Sequence, residues 1–123
     1  WGRVLLPRVE GAPGDLVDAL SAAGWSARAV TAYRNLPAGA DSLGAAVVAS
    51  GRFDVVTFTS ASTVRNFLAI AGSPPVDGHV ACIGPVTADA ARDAGLSVDV
   101  VAEEHTVPGL VEAIVARFGR SAT

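Results

Sequence analysis

Two short apolar runs in this chain are each followed by small residues of the kind that bind anions. The run that begins at Phe53 ends in Thr59-Ser60-Ala61-Ser62-Thr63, and the run Val80–Ile83 is followed by Gly84-Pro85-Val86-Thr87. Apolar residues then continue at helical spacing, which places each group between a buried strand and the start of a helix. Free N–H groups at a helix start attract carboxylates and phosphates. The sequence thus predicts an anion site built from backbone donors and hydroxyls rather than from strong acids, bases or a metal.

Each group also has a purely structural interpretation. Ser60 or Ser62 could be the N-cap of the following helix, which would leave the other hydroxyls free. Glycine followed by proline, as at Gly84-Pro85, is common in ordinary turns. Arg8 follows the first strand, and its side chain is either solvated or in contact with an anion at the same edge.

Tyr33 and two histidines are the remaining candidates for proton chemistry. Tyr33, the only tyrosine, ends the second predicted strand. It could donate a proton or a hydrogen bond in a cleft, or simply cover the sheet edge. His79 and His105 lack metal-ligand spacing, so exposed or capping positions are expected for both. Neither a metal nor a cofactor is expected.

Composition excludes several classes of function. The net charge of −3 argues against nucleic acid as a partner. All nine basic residues are arginine, so a Schiff-base lysine and the phosphate-binding lysine of a P-loop are impossible. Cys82 is the only cysteine and is expected to be a small buried hydrophobe, without disulfide or zinc cluster. No apolar run reaches the roughly 18 residues of a membrane span, so a cytoplasmic, reducing setting without membrane contact is expected.

Strands and helices are predicted to alternate strictly along the chain. The predicted strands are Arg3–Pro7, Ser26–Tyr33, Asp54–Thr59, His79–Ile83 and Leu96–Val101. The predicted helices are Asp15–Ala23, one capped by Asp41 and ending at Ser50, one from Ser62 to Gly72, Pro85–Ala94, and one capped by Thr106 whose inward face is Leu110, Val111, Ile114, Val115 and Phe118. A loop is predicted over Ser73–Gly78. Strict alternation predicts an α/β fold with a parallel five-stranded sheet, helices on both faces and flavodoxin-like order, with a switch point between the first and third strands.

Five segments, taken in order, resemble the uroporphyrinogen-III synthase family. They are Val4-Leu-Leu-Pro-Arg8 with Glu10, Val30-Thr-Ala-Tyr-Arg34, Asp54-Val-Val-Thr-Phe-Thr-Ser60, Ile83-Gly-Pro-Val-Thr-Ala88 with Gly95, and Ala102-Glu-Glu-His-Thr-Val-Pro-Gly-Leu110. Each motif is weak alone, but their order and spacing together are fairly specific. The resemblance covers nearly the whole chain and only the second half of the family's length. The chain, which begins at Trp1, is therefore expected to be a segment of a longer protein.

The resemblance implies a cyclising hydro-lyase of haem and cobalamin biosynthesis that uses no metal or cofactor. Members of the family act on hydroxymethylbilane, a linear tetrapyrrole with eight carboxylates, which loses water to give a reactive azafulvene. Ring D attacks through its substituted carbon, and the resulting spiro intermediate recloses with that ring inverted, giving uroporphyrinogen III. Without the enzyme the type I isomer forms, so catalysis is mainly geometric steering of a reactive species.

The resemblance also implies roles for individual residues. Tyr33 would lie in a cleft between two similar α/β domains and assist departure of the hydroxyl. Thr87 and the Thr59–Thr63 segment would bind substrate carboxylates. Arg8 and Gly84–Val86 complete the predicted substrate-binding set.

The domain organisation follows from the same resemblance. A synthase-like domain is expected over 1–118, with a first βαβ part at 1–33, a crossover at 34–40, βα repeats at 41–118, and a tail at 119–123. The family's first half is absent from this sequence. The fragment is therefore expected either to fold back on itself or to pair with that first half or with a second copy that exchanges halves with it. A monomer by light scattering would exclude the exchange.

Two other functions compete with a portion of a synthase. A synthase-like domain could serve as the non-catalytic ligand-binding module of a regulatory protein. A phospho-receiver domain shows the same alternation, but it needs an aspartate at the end of the third strand and a lysine at the end of the fifth. Thr59-Ser60 and the absence of lysine exclude the receiver.

Overall fold

The computed structural model describes residues 2–39, 41–51, 53–72 and 78–119. The chain divides between Leu36 and Pro37 into two compact units. In chain order the elements are β1 (Arg3–Val9), α1 (Asp15–Ala22), β2 (Ser26–Tyr33), α2 (Leu43–Ser50), β3 (Val55–Phe58), α3 (Ala61–Ala71), β4 (His79–Cys82), α4 (Pro85–Asp93), β5 (Val100–Val101) and α5 (Val107–Phe118). The division falls inside the predicted crossover at 34–40. The predicted loop Ser73–Gly78 and the predicted tail 119–123 lie outside the described residues, apart from Gly78 and Gly119.

The first unit is a β–α–β element whose two strands pair in parallel. Arg3 to Arg8 of β1 lie opposite Ser26 to Thr31 of β2, and a register shift then brings Val9 opposite Tyr33. None of residues 2–36 is fully buried. Six large apolar side chains of the unit are 36–69% exposed: Leu5, Leu16, Trp25, Val30, Tyr33 and Leu36. Because so many of its large apolar side chains are exposed, this unit is expected to need a further covering surface.

The second unit is built on a three-stranded parallel sheet in the order β3-β4-β5. Val80 and Cys82 of β4 belong to a core shared with α3 and α4. Ala81, between them, belongs to a second core shared with Leu110 of α5. Successive residues of β4 therefore face opposite cores, and β4 is buried on both faces, as a central parallel strand should be.

The predicted α/β fold with parallel strands is confirmed, but the single five-stranded sheet with flavodoxin-like order is not. Among the described residues β1 pairs only with β2, and β3 pairs only with β4. No pairing there joins the first and third strands at the predicted switch point. The physical reason is that alternation of strands and helices sets their parallel direction without deciding which strands become neighbours.

Three local predictions in the second unit are wrong. The N-cap of α2 is Ser42 and not Asp41, because the Ser42 Oγ accepts the N–H of Ala45 at 3.0 Å. The fifth strand is only Val100–Val101, and Leu96 is buried in the core without belonging to a strand. On α5 the side chains of Val111 and Val115 are 54% and 60% exposed.

The exposure of those two valines has a simple geometric cause. Leu110 is buried, and Ile114 and Phe118 pack against the same core. These three residues are spaced by four, so they form one narrow stripe along the helix. The strands β4 and β5 pack against that stripe, and the adjacent valines lie outside it.

The carboxylate of Asp99, directly before β5, links that strand to the amino end of β4 through two contacts. One carboxylate oxygen accepts the backbone N–H of Val80 at 2.8 Å, and the other lies 3.3 Å from Nδ1 of His79. The N–H of Val80, helped by His79, holds the pKa of the Asp99 carboxyl below its usual range. The ring of His79 in turn stacks against Phe118 of α5, with centroids 4.6 Å apart.

Replacing Asp99 by asparagine should lower the free energy of unfolding at neutral pH by about 1 kcal/mol, the usual net value of one hydrogen bond. Because the folded-state pKa is lowered, the carboxylate stabilises the fold above its ordinary pKa. That contribution is lost as the pH falls through the folded-state pKa. Urea unfolding from neutral to acidic pH should therefore show a smaller acid-induced loss in Asp99→Asn than in the parent chain. Glu112→Gln removes an exposed carboxylate of α5 and is the control; a pH dependence unchanged by Asp99→Asn would contradict this role.

Candidate functional site

At the junction between β3 and α3, the hydroxyl groups form hydrogen bonds with one another and with the backbone. The Oγ of Ser60 accepts the N–H of Thr63 at 3.2 Å, and the Oγ1 of Thr63 accepts the N–H of Ser60 at 3.2 Å. The hydroxyl of Ser62 lies 3.0 Å from that of Ser60. This reciprocal arrangement is a capping box, so Ser60 is the N-cap and the hydroxyls of Ser60, Ser62 and Thr63 interact with one another. Thr59 is exposed one residue before the cap, and Ala61 begins the helix.

The junction between β4 and α4 is built differently, because its N-cap has no side chain. Gly84 is the N-cap and Pro85 follows as the first helical residue. No side chain of the described residues caps this helix, and proline brings no N–H of its own. Val86 is 77% exposed, whereas Thr87 is 5% exposed. The backbone N–H groups of Val86 and Thr87 are therefore the first-turn donors, at the positive end of the helix dipole.

A third helix begins at the same edge of the sheet. Thr106 is the N-cap of α5, and its Oγ1 accepts the N–H of Gly109 at 3.1 Å. His105, immediately before the cap, has its ring against Gly84. A Cβ placed on Gly84 would lie 3.1 Å from the Cγ and Cδ2 atoms of that ring. The loop after β5 thus touches the loop after β4.

Sheet register explains why these three junctions meet. Phe58, at the end of β3, lies opposite Cys82 of β4, which lies opposite Val101 of β5. Parallel strands in register end at the same edge, where α/β proteins bind their ligands. The structure therefore brings together the predicted residues Thr59–Thr63 and Gly84–Thr87. It also adds His105, for which the sequence predicts an exposed or capping position and which is exposed in the structure. The signal for His105 was available, since the loop after the fifth predicted strand had to reach this same edge.

The other predicted residues, Arg8 and Tyr33, belong to the first unit. The Arg8 guanidinium donates from Nη1 to the carbonyl oxygen of Pro13 at 2.5 Å, beside a cavity of about 120 Å³. Tyr33 ends β2 and is 58% exposed. Its carbonyl oxygen accepts the N–H of Glu10 at 2.8 Å. Both residues therefore lie at the carboxyl ends of the paired strands β1 and β2.

A cavity of about 540 Å³ lies beside α5, but its charge does not suit an anion. Four carboxylates and a single guanidinium line it, from Asp99, Glu103, Glu104, Glu112 and Arg117. Such a lining repels a polycarboxylate. We therefore place the candidate anion site at the edge formed by the junctions after β3, β4 and β5, and call it the carboxyl-edge site.

The chain is thus a parallel α/β protein, and the helix N-termini at one edge of its three-stranded sheet form a candidate anion-binding site. Comparison with known proteins gives the family: the sequence matches uroporphyrinogen-III synthase HemD over residues 2–112. The chain belongs to the uroporphyrinogen-III synthase family, which confirms the resemblance read from the sequence. The comparisons give no support to a non-catalytic regulatory module.

Curated relatives and a solved structure agree with this assignment. The chain is 30% identical over 105 residues to the uroporphyrinogen-III synthase of Chlorobaculum parvum, which covers 82% of this chain and 43% of that protein. It is 32% identical over 122 residues to the uroporphyrinogen-III synthase of Synechococcus elongatus, which covers 91% of this chain and 46% of that protein. The crystal structure of uroporphyrinogen-III synthetase from Helicobacter pylori shares the fold, with a TM-score of 0.74 and 18% identity over 93% of this chain and 53% of that one.

The chain spans less than half the length of the two curated relatives described above. None of the helices in the described ranges combines the length and the apolar character needed to cross a membrane.

Proposed function

We propose that this chain forms part of a uroporphyrinogen-III synthase and helps to steer the ring closure of hydroxymethylbilane. The observation that carries the proposal is the family match over residues 2–112. The linear tetrapyrrole would lose water, its ring D would attack through the substituted carbon, and the spiro intermediate would reclose as uroporphyrinogen III. Water is the only other product. The chemistry demands control over geometry more than a strong acid or base, which suits a site of helix N-termini and hydroxyls.

Substrate binding is proposed for the carboxyl-edge site of the second unit. The eight carboxylates of the bilane match the partial positive charge at the starts of α3, α4 and α5. Because the capping box engages the first turn of α3 and Thr106 caps α5, the N–H groups of Val86 and Thr87 are the main donors proposed here. Thr59, exposed beside the capping box, and the hydroxyl of Thr87 complete this carboxylate-binding set.

The first unit would contribute Arg8 and Tyr33. We propose that the exposed phenol of Tyr33 assists departure of the bilane hydroxyl and that the Arg8 guanidinium contacts a carboxylate. Arg8 would then exchange its bond to the Pro13 carbonyl for a charged partner, which forms the stronger hydrogen bond.

The architecture of the whole protein is also a proposal. The two units would belong to different domains of the synthase, with residues 34–40 as the crossover. Each sheet would be extended toward a five-stranded, flavodoxin-like order by strands from the synthase's first half or from a second copy of this chain. Two observations support this: the described residues leave one edge of β3 unpaired, and none of residues 2–36 is fully buried. A cytoplasmic setting fits Cys82, a buried free thiol whose pKa is raised by burial.

Tyr33→Phe is expected to slow formation of uroporphyrinogen III by about tenfold, less than general acid catalysis often contributes, because the bilane hydroxyl leaves readily. The measurement is the initial rate of type III formation from hydroxymethylbilane, with products oxidised to uroporphyrins and resolved by chromatography. Tyr33→Phe keeps the ring and removes only the phenol oxygen, so stability should change little. A type III rate equal to that of the parent protein would remove Tyr33 from the mechanism. Absence of type III product from the parent protein would overturn the proposed function itself.

A further inference from the structure

His105 lies in a hydrogen-bonded loop at the carboxyl-edge site. The N–H of Thr106 donates to the carbonyl oxygen of Glu104 at 2.8 Å, and the N–H of Leu110 donates to the carbonyl oxygen of Thr106 at 2.9 Å. The side chain of Thr106 also caps α5 through Gly109. Hydrogen bonds thus fix the backbone directly after His105, and the ring of this exposed residue lies against Gly84.

The ring of His105 lies close against residue 84, which favours a glycine there. Gly84 has a φ of −170°, an extended conformation that any residue adopts, so backbone strain does not require glycine here. Space favours glycine, because a Cβ on Gly84 would approach Cγ and Cδ2 of His105 to 3.1 Å and the ring would have to shift. An N-cap residue normally places a hydroxyl or carboxylate over the first-turn N–H groups. At α4 the imidazole of His105 lies beside the cap residue in place of such a side chain.

His105 is also the only basic residue in the three loops that form the site. Residues 59–63 and 83–87 carry no charged side chain, and residues 102–106 carry His105 with Glu103 and Glu104. Those two glutamates line the cavity beside α5, together with Gly109 and Glu112. The loop therefore presents its carboxylates to that cavity and its imidazole to the start of α4.

We propose that His105 is a substrate-binding residue that holds one carboxylate of the linear tetrapyrrole against the first turn of α4. The carboxylate accepts hydrogen bonds from the N–H groups of Val86 and Thr87 and from the imidazole of His105. A charge-assisted hydrogen bond of this kind is about twice as strong as a neutral one. The inference rests on the proposed function, because it takes its ligand from the polycarboxylate substrate.

The test is equilibrium binding of uroporphyrin III, a stable octacarboxylate tetrapyrrole, to the purified chain. His105→Gln replaces the ring by a flexible amide that does not hold a donor in the position of the imidazole, and it should weaken binding by about tenfold, the loss expected for one hydrogen bond to a charged group. Gly84→Ala leaves every charge in place but displaces the ring, so it should weaken binding as well. His79→Gln removes the only other histidine, at the amino end of the sheet, and should leave the dissociation constant unchanged. Circular dichroism would confirm that each variant is folded.

The outcomes separate this inference from the proposed function. Binding by His105→Gln within about twofold of the parent chain would overturn the role of His105, and so would a parent chain that does not bind uroporphyrin III. Parent binding that is weakened by His105→Gln, in a protein that forms no uroporphyrinogen III, would support His105 and overturn the proposed activity alone. Weakening of equal size in His79→Gln would show a general effect of histidine loss and would also overturn the proposal.

Discussion

Replacing Phe58 by alanine is expected to cost about 3–5 kcal/mol of the free energy of unfolding, the usual range for a buried phenylalanine. Phe58 is the last residue of β3 and is only 2% exposed. Its ring packs edge-on against Phe67 of α3, with centroids 5.3 Å apart and an interplanar angle of 74°. The truncation would remove this contact and leave a cavity in the core shared by α3 and α4. Chemical denaturation followed by circular dichroism measures the loss.

The same substitution should also disturb the carboxyl-edge site, because Phe58 directly precedes Thr59 and the capping box. Phe58→Leu, which keeps most of the apolar volume, should cost markedly less than Phe58→Ala. Leu43→Ala is the surface control, since Leu43 is 89% exposed and its truncation removes little buried area. A cost below about 1 kcal/mol for Phe58→Ala would mean that this core is not packed as described.

Gly109→Ala is expected to destabilise the second unit by about 1–3 kcal/mol or more, the range for forcing an atom into filled space. An added Cβ at position 109 would overlap the carbonyl oxygen of Glu104 and approach the Glu104 Cβ to 2.9 Å. The obstacle is mainly backbone, which cannot rotate aside as a flexible side chain does. Either the first turn of α5 or the loop that carries His105 must therefore move. Thermal and urea denaturation would measure the stability, and uroporphyrin III binding would report the displaced loop.

Gly44→Ala is the matched control for this substitution. Gly44 lies in the first turn of α2, and among the described residues a Cβ there would meet only the Ser42 Oγ, at 3.9 Å. Alanine is the better helix former by about 0.5–1 kcal/mol, so Gly44→Ala should be neutral or stabilising. Equal effects of the two substitutions would contradict the close approach of Glu104 to Gly109.

Local features of this fold could be predicted from the sequence because local chemistry decides them. Thr106 caps α5 as expected, and one of the two serines proposed as a cap, Ser60, caps α3. β2 has its predicted bounds, Ser26–Tyr33. In each case a hydroxyl, or a run of β-branched and small residues, determines the backbone structure within a few positions along the chain.

Strand pairing could not be predicted in the same way, since it depends on contacts far apart in sequence. Strict alternation is compatible with one sheet of five strands and equally with the two sheets observed among the described residues. The exposed apolar side chains of the first unit, such as Leu5 and Val30, look like core residues in the sequence. Their pattern does not show whether this chain or another part of the protein covers them.

The carboxyl-edge site was predictable in outline but not in detail. The sequence indicated that Thr59–Thr63 and Gly84–Thr87 end neighbouring strands, and register brings them to one edge. It could not indicate that the hydroxyls of Ser60, Ser62 and Thr63 interact with one another, nor that the ring of His105 lies against Gly84. Both facts arise from side-chain packing around the helix starts, which spacing alone does not encode.

The isomer composition of uroporphyrin formed from hydroxymethylbilane is the most direct test of the proposed function. The purified chain would be incubated at increasing concentrations with freshly prepared bilane. A protein-free reaction, in which the bilane closes spontaneously to type I, is the control. After oxidation, chromatography gives the ratio of type III to type I. We expect type III above the protein-free background, in a fraction that rises with the amount of chain. Type I alone at every concentration would contradict the proposal that this chain steers the closure.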